Sequence, residues 1–184
     1  AEVPSDDASC LHLSALILHV LSTNKANHPP LLEAGVVAVL VKMAASPNEK
    51  TKTVVAGSLY NVTQCAQVTH EDFLTALMAL PHSQANARVL RCAWCFANVS
   101  TFPRGRVSLG KLARKVIPTL LAMMRSGCAD AERIQYHCSV AMCNLLSVFL
   151  SKDDILAMVK DGTVQDIIVI TVLRANDVQT KQVL

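Results

Sequence analysis

The residues with the most reactive chemistry are seven cysteines, at 10, 65, 92, 95, 128, 138 and 143. Cys92-x-x-Cys95, together with His137-Cys138, has the composition of a split zinc site or of a dithiol redox pair. Two further patterns, Asn61-Val-Thr63 and Asn98-Val-Ser100, are formal glycosylation sequons. Paired carboxylates occur at Glu71-Asp72 and Asp153-Asp154. Acidic pairs of this kind also open helices, because the amino-terminal end of the helix dipole favours negative charge. The sequence has no glycine-rich phosphate loop, no HExxH and no Gly-x-Ser-x-Gly, and His70 and His82 fall in expected loops away from any nucleophile. No cofactor is expected, and the chain does not read as an enzyme.

What could hold such residues in place follows from composition. Of 184 residues, 52% are apolar and only 4% aromatic, with six glycines and seven prolines. Abundant Ala, Val, Leu and Met suits close-packed helices. Few glycines leave little backbone able to approach a nucleotide phosphate. An odd cysteine count within apolar stretches does not resemble a small disulfide framework. It points to a reducing compartment: cytoplasm, with a cytoskeletal, ciliary or nuclear setting included, and not secretion. No apolar run reaches the roughly 18 residues that cross a bilayer, so no membrane partner is expected.

Internal repetition gives the architecture. Four segments align on one position. They are Ser14 to Ser22, Ala56 to Gln64, Ala93 to Thr101 and Ser139 to Ser147. Each has a polar anchor followed by Val or Leu: His19, Asn61, Asn98 and Asn144. Each has a large apolar residue two positions earlier: Ile17, Leu59, Phe96 and Met142. The anchors are 42, 37 and 46 residues apart, which is the size of a helical repeat. An upstream apolar element recurs as well, with Leu40, Leu77, Leu120 and Ile167 at its equivalent position. Such runs fit strands by pattern alone, but their fixed distance from helical segments predicts helices. Gly35 and Gly162 fit the stop of a preceding helix, and Pro118 fits the first turn of its own.

The stretch Leu31 to Thr63 closely resembles the armadillo repeat. It has the Glu33-Ala34-Gly35 corner, the leucine-rich second helix, the Ser46-Pro47-Asn48-Glu49 turn and a third helix ending Leu59-x-Asn61-Val62. The repeat ending at Asn144 matches well, with Ile117-Pro118 and Ile134-Gln135 in place, and the short one ending at Asn98 less closely. The resemblance implies an all-α fold, a right-handed armadillo-type α-solenoid that is a superhelix of three-helix repeats. Residues 1–184 then form a single armadillo-repeat domain. It comprises a partial repeat (1–24), full repeats at 25–66, 67–103 and 104–149, and a truncated repeat (150–184). Both ends stop in mid-repeat. A solenoid needs capping repeats, so the expectation is a segment of a longer array or ends covered by a partner, within a larger complex.

In armadillo proteins the third helices line a groove, and an Asn near the end of each hydrogen-bonds the backbone of an extended peptide. The resemblance places that role on Asn61, Asn98 and Asn144, with His19 as a departure. Helical spacing adds Trp94, Arg91 and Thr101 beside Asn98, His137 and Ser147 beside Asn144, Gln64 beside Asn61, and His12 beside His19. An amide supplies donors and an acceptor, so an Asn ladder can satisfy a strand-like peptide without reading its side chains. The same Asn side chains can instead brace the repeat itself. The importin-alpha carriers of nuclear import are similar in one repeat only. Trp94-x-x-x-Asn98 matches their groove, but Ala15, Gly57 and Val140 stand where the other Trp residues would be. In the same alignment Cys92, Cys95 and Cys138 fall at small-residue positions, where cysteine is a core residue. The sequon Asn residues fall at packed helix ends, where no sugar is expected.

Charge bears on the partner. Residues 1–87 carry 4 Lys and Arg against 7 Asp and Glu, residues 88–133 carry 9 against 2, and residues 134–184 carry 4 against 5. The basic middle, with Arg104, Arg106, Lys111, Arg114 and Lys115, suits an acidic protein surface or segment. Nucleic acid is not expected, since few aromatic residues lie near enough to stack on bases. The expected function is a non-enzymatic scaffold or adaptor that binds a protein.

Overall fold

A computed structural model describes residues 6–64, 71–81, 86–126 and 129–149, with residues 160, 162 and 165 in isolation. All regular structure among them is helical. The helices are α1 (Asp6–Thr23), α2 (His28–Glu33), α3 (Val36–Ala44), α4 (Glu49–Val62), α5 (Glu71–Ala79), α6 (Asn86–Thr101), α7 (Pro103–Lys111), α8 (Ala113–Met124) and α9 (Ala131–Phe149). A short 3-10 turn, Lys25–Asn27, precedes α2.

Local sequence sets these boundaries. Asn48 caps α4, its Oδ1 accepting from the Lys50 and Thr51 N–H groups at 2.9 and 3.2 Å, which satisfies amides the helix leaves orphaned. Glu71 and Asp72 open α5, at the end where their charge is favoured. Proline stands in the first turns of α2 and α7, where its missing N–H costs nothing. Gly35 turns the chain from α2 into α3 with φ +76°, a left-handed value that costs glycine little.

The helices pack in two layers. In one, α1, α4, α6 and α9 each contact the next, and in the other α3 contacts α5 and α5 contacts α8. The layers join through α3 on α4, α5 on α6 and α8 on α9. Leu40, Leu77 and Leu120, the recurring leucines, are fully buried between them, as are Leu59 and Phe96. Burying side chains of this size contributes about 1.5–3 kcal/mol each. Neighbour-to-neighbour packing of this kind is compatible with a helical-repeat arrangement.

One local expectation needs correction. Pro118 lies inside α8, not in its first turn. The helix restarts at Ala113 directly after Leu112, with no glycine corner, so Pro118 falls in the second turn. Its ring is exposed there, and it removes the hydrogen bond that would run to the Arg114 carbonyl. The repeat at 67–103 contributes two helices among the described residues, α5 and α6, where its neighbours contribute three. Its period of 37 residues is the shortest of the three. The truncated repeat at 150–184, with Ile167 and Asp153-Asp154, lies outside the described residues apart from three positions. One of those, Gly162, has φ +83°.

Candidate functional site

The anchor residues sit near the carboxyl ends of α4, α6 and α9, each half-buried against the preceding helix of the same layer. Asn61 Nδ2 donates to Ser22 Oγ at 3.0 Å, Asn98 Nδ2 to Thr63 Oγ1 at 3.3 Å, and Asn144 Nδ2 to Ser100 Oγ at 3.0 Å. Each hydroxyl passes the bond on to the carbonyl three residues back. Ser22 donates to His19 O at 2.8 Å, Thr63 to Tyr60 O at 2.8 Å and Ser100 to Ala97 O at 2.7 Å. One link therefore recurs three times: amide of one repeat, hydroxyl of the repeat before, backbone carbonyl. It engages one of the two amide protons. At Asn61 and Asn98 the second proton and Oδ1 make no further bond among the described residues.

This link also explains the sequons. Thr63 and Ser100 are the hydroxyl halves that receive the next repeat's Asn, and Asn61 and Asn98 are the amide halves that reach back. A Ser or Thr follows every anchor by two or three residues, Ser22, Thr63, Ser100 and Ser147, and of these the helical spacing singled out only Ser147. The Ser147 side chain lies outside the described ones.

Next to Asn98 the face is aromatic and cationic. Trp94, half-buried on α6, meets Tyr60 of α4 with centroids 4.7 Å apart and His137 of α9 edge-on at 5.7 Å. Arg133 Cζ stands 5.1 Å over the Trp94 ring, within reach of a cation–π attraction. Tyr136, exposed, is edge-on to His137 at 5.0 Å. Three helices thus converge on one indole. Trp94 and His137 were expected on this face. Tyr60 and Arg133 were not, and Arg133 was findable: it lies eleven residues before Asn144, three full helical turns, and so on the same stripe.

One repeat earlier the same stripe looks different. Gly57 occupies the position equivalent to Trp94. A Cβ there would lie 2.8 Å from His19 Cε1 and 3.0 Å from Arg91 Nη1. Arg91 donates from Nη1 to the Thr53 carbonyl at 2.9 Å. His19 therefore does not extend the amide ladder but packs over the glycine, with Nδ1 buried and unpartnered. Burial, and then the Arg91 charge, hold its pKa below the usual histidine value. His12 joins the same contact, Nδ1 to Thr51 Oγ1 at 3.2 Å. Gln64 and Thr101 are exposed at the ends of their helices, with the Thr101 hydroxyl donating to the Asn98 carbonyl at 2.6 Å.

The basic residues Arg104, Arg106, Lys111, Arg114 and Lys115 lie on α7 and the first turn of α8, not on the helices that carry the ladder. All are exposed except Arg106, which is half-buried. Lys111 pairs with Glu71 at 3.5 Å. Arg104, Arg114 and Lys115 sit at helix amino-termini, where the dipole adds to their positive potential. A second inter-repeat ion pair joins Arg88 Nη2 to Glu49 at 2.6 Å. Arg88 is 1% exposed, with Nε and Nη1 unpartnered.

Cys92, Cys95 and Cys138 are fully buried core residues. Burial pushes the Cys92 thiol up to about 12 and the other two upward as well, so none is a ready thiolate at neutral pH. Among the described residues no cluster of three or more His, Cys, Asp or Glu is placed to hold a metal.

No family model matches the sequence, and no curated protein matches it. Among solved structures the chain is similar to an engineered protein whose crystal structure comes from the Northeast Structural Genomics Consortium, with a TM-score of 0.62 at 20% identity. The match covers 88% of this chain and 66% of that one. A likeness at this identity concerns the fold alone. No described helix is long and apolar enough to cross a membrane.

Proposed function

We propose that this chain is a segment of a right-handed armadillo-type α-solenoid and acts as a non-enzymatic protein-binding scaffold. Its third helices α4, α6 and α9 hold an extended, acidic partner segment, within a larger cytoplasmic assembly. The observation that carries this reading is the repeated amide ladder with a cationic aromatic cluster beside it. Asn61 and Asn98 keep a donor and an acceptor beyond the inter-repeat link, the pair that a peptide backbone needs. Arg133 and Arg91 place positive charge along the same face, which attracts acidic segments and repels basic ones. An importin-alpha-like carrier is opposed by the same arrangement. Trp94 already meets an arginine of its own chain, and Gly57 stands where the neighbouring repeat would need a Trp.

The test is fluorescence anisotropy with labelled ten-residue peptides of one length and three compositions: Glu-rich, Lys-rich and Ser/Gly-rich. The Glu-rich peptide is expected to bind, and Arg133→Ala and Trp94→Ala are each expected to weaken it at least about fivefold while helicity is unchanged by circular dichroism. Preference for the Lys-rich peptide, or binding indifferent to both substitutions, would overturn the acidic-groove reading.

A further inference from the structure

The four third-helix segments do not bury the same stripe. Counting from the anchor, the positions six, three and two before it and one after it are Val55, Ser58, Leu59 and Val62 in α4. They are Cys92, Cys95, Phe96 and Val99 in α6, and Cys138, Ala141, Met142 and Leu145 in α9. None of these twelve side chains is more than 3% exposed. The same positions in α1 are Leu13, Leu16, Ile17 and Val20, exposed by 58, 37, 60 and 66%. The residues are as apolar as their counterparts, so α1 carries the core-facing stripe of a third helix with no described helix covering it.

The structure also says what packs on that stripe elsewhere. Against each later copy packs the helix immediately before it in the chain, α3 on α4, α5 on α6 and α8 on α9, with α7 also against α6 and α9. We infer that the open stripe of α1 is a docking surface for the polypeptide segment immediately preceding this one. That segment supplies a helix related to α1 as α8 is to α9, with apolar residues at helical spacing facing Leu13, Ile17 and Val20. The opposite side of α1 is already engaged, through His12 on Thr51 and Ser22 on Asn61, so the incoming helix completes a repeat without competing with α4. This inference rests on burial and chain order and does not depend on the groove binding a peptide.

The test compares the 184-residue chain with a polypeptide that starts about 45 residues further upstream in the natural reading frame, one repeat length. In the longer polypeptide, hydrogen exchange of α1 amides is expected to slow at least about tenfold. Ile17→Glu is expected to be nearly silent in the shorter chain and to lower Tm by several degrees in the longer one. Leu59→Glu, at the equivalent buried position of α4, should destabilise both. If the longer Ile17→Glu polypeptide does not fold, the exchange comparison on the unsubstituted proteins decides alone. An upstream frame without a helical apolar segment would overturn the inference. So would unchanged α1 exchange in the longer polypeptide. A concentration-dependent dimer of the longer polypeptide that Ile17→Glu dissolves would overturn it in favour of a second copy on that face.

Discussion

The two ends of the ladder face share a backbone plan and differ in chemistry. At α6 and α9, Trp94 gathers Tyr60, His137 and Arg133 into one cluster. At α1 and α4, Gly57 leaves the equivalent place empty, and His19 and Arg91 close over it. The amide-to-hydroxyl link is the same at both ends, 3.0 Å for Asn61 and 3.0 Å for Asn144. The link therefore belongs to the repeat, while the position four residues before the anchor decides what each stretch of that face offers. A large ring there gathers side chains from the helices on either side, and its absence lets the preceding helix come close.

The most forceful way to break this difference is to write the α6 pattern into α4. In Gly57→Trp even the first added carbon meets the His19 ring at 2.8 Å, and the rest of the indole must displace Arg91 from its bond to Thr53. Overpacking usually costs about 1–3 kcal/mol, and a whole indole is expected to cost at least about 3 kcal/mol. For a chain of this size that lowers Tm by about 6–12 °C, read by circular dichroism. Trp94→Gly, the reverse exchange, should instead loosen the cluster and leave the α1–α4 contact untouched. If Gly57→Trp melts like the parent protein, the close approach at α1 is wrong.

The shared link can be measured by double-mutant cycles on Asn61 with Ser22 and on Asn98 with Thr63, each changed to Ala. A net hydrogen bond contributes about 0.5–1.5 kcal/mol. The Asn61 pair, at 3.0 Å to a buried hydroxyl, is expected in the upper half of that range and the Asn98 pair, at 3.3 Å, in the lower half. Equal and negligible coupling in both cycles would remove the repeat-wide brace and return the whole amide to ligand binding.

The ladder was visible in the sequence because an Asn followed by Val or Leu recurs at repeat spacing inside apolar helices, a pattern that survives without any contact information. The hydroxyls were hidden, since Asn-x-Thr and Asn-x-Ser already carry another meaning and the partner of each lies 35 to 44 residues away. Arg133 was legible in principle, on the anchor stripe one turn beyond the positions considered. The fate of His19 was not. Whether a polar anchor joins the ladder depends on what faces it, and only the packing of α4 brings Gly57 and Arg91 there. Pro118 was misplaced for a similar reason, because the start of α8 is set by how tightly α7 turns into it and not by the helix's own residues.

The smallest effect is the pH response of the His19 end. Its pKa lies below the ordinary histidine value in the folded protein, through burial and then Arg91. As pH falls through about 6.5 the unfolded chain takes up this proton before the folded one does. Stability contributed by the neutral ring is therefore fully present above that pH and is lost progressively below it. The charged group facing the ring is Arg91 of α6. His19→Asn restores the anchor residue of the other repeats and removes the titration. The Tm difference between the parent protein and this variant, followed from pH 7.5 to 5, should move steadily against the parent. A difference that stays constant with pH would mean that His19 titrates alike in the folded and unfolded chains, and that the closed contact over Gly57 does not form in solution.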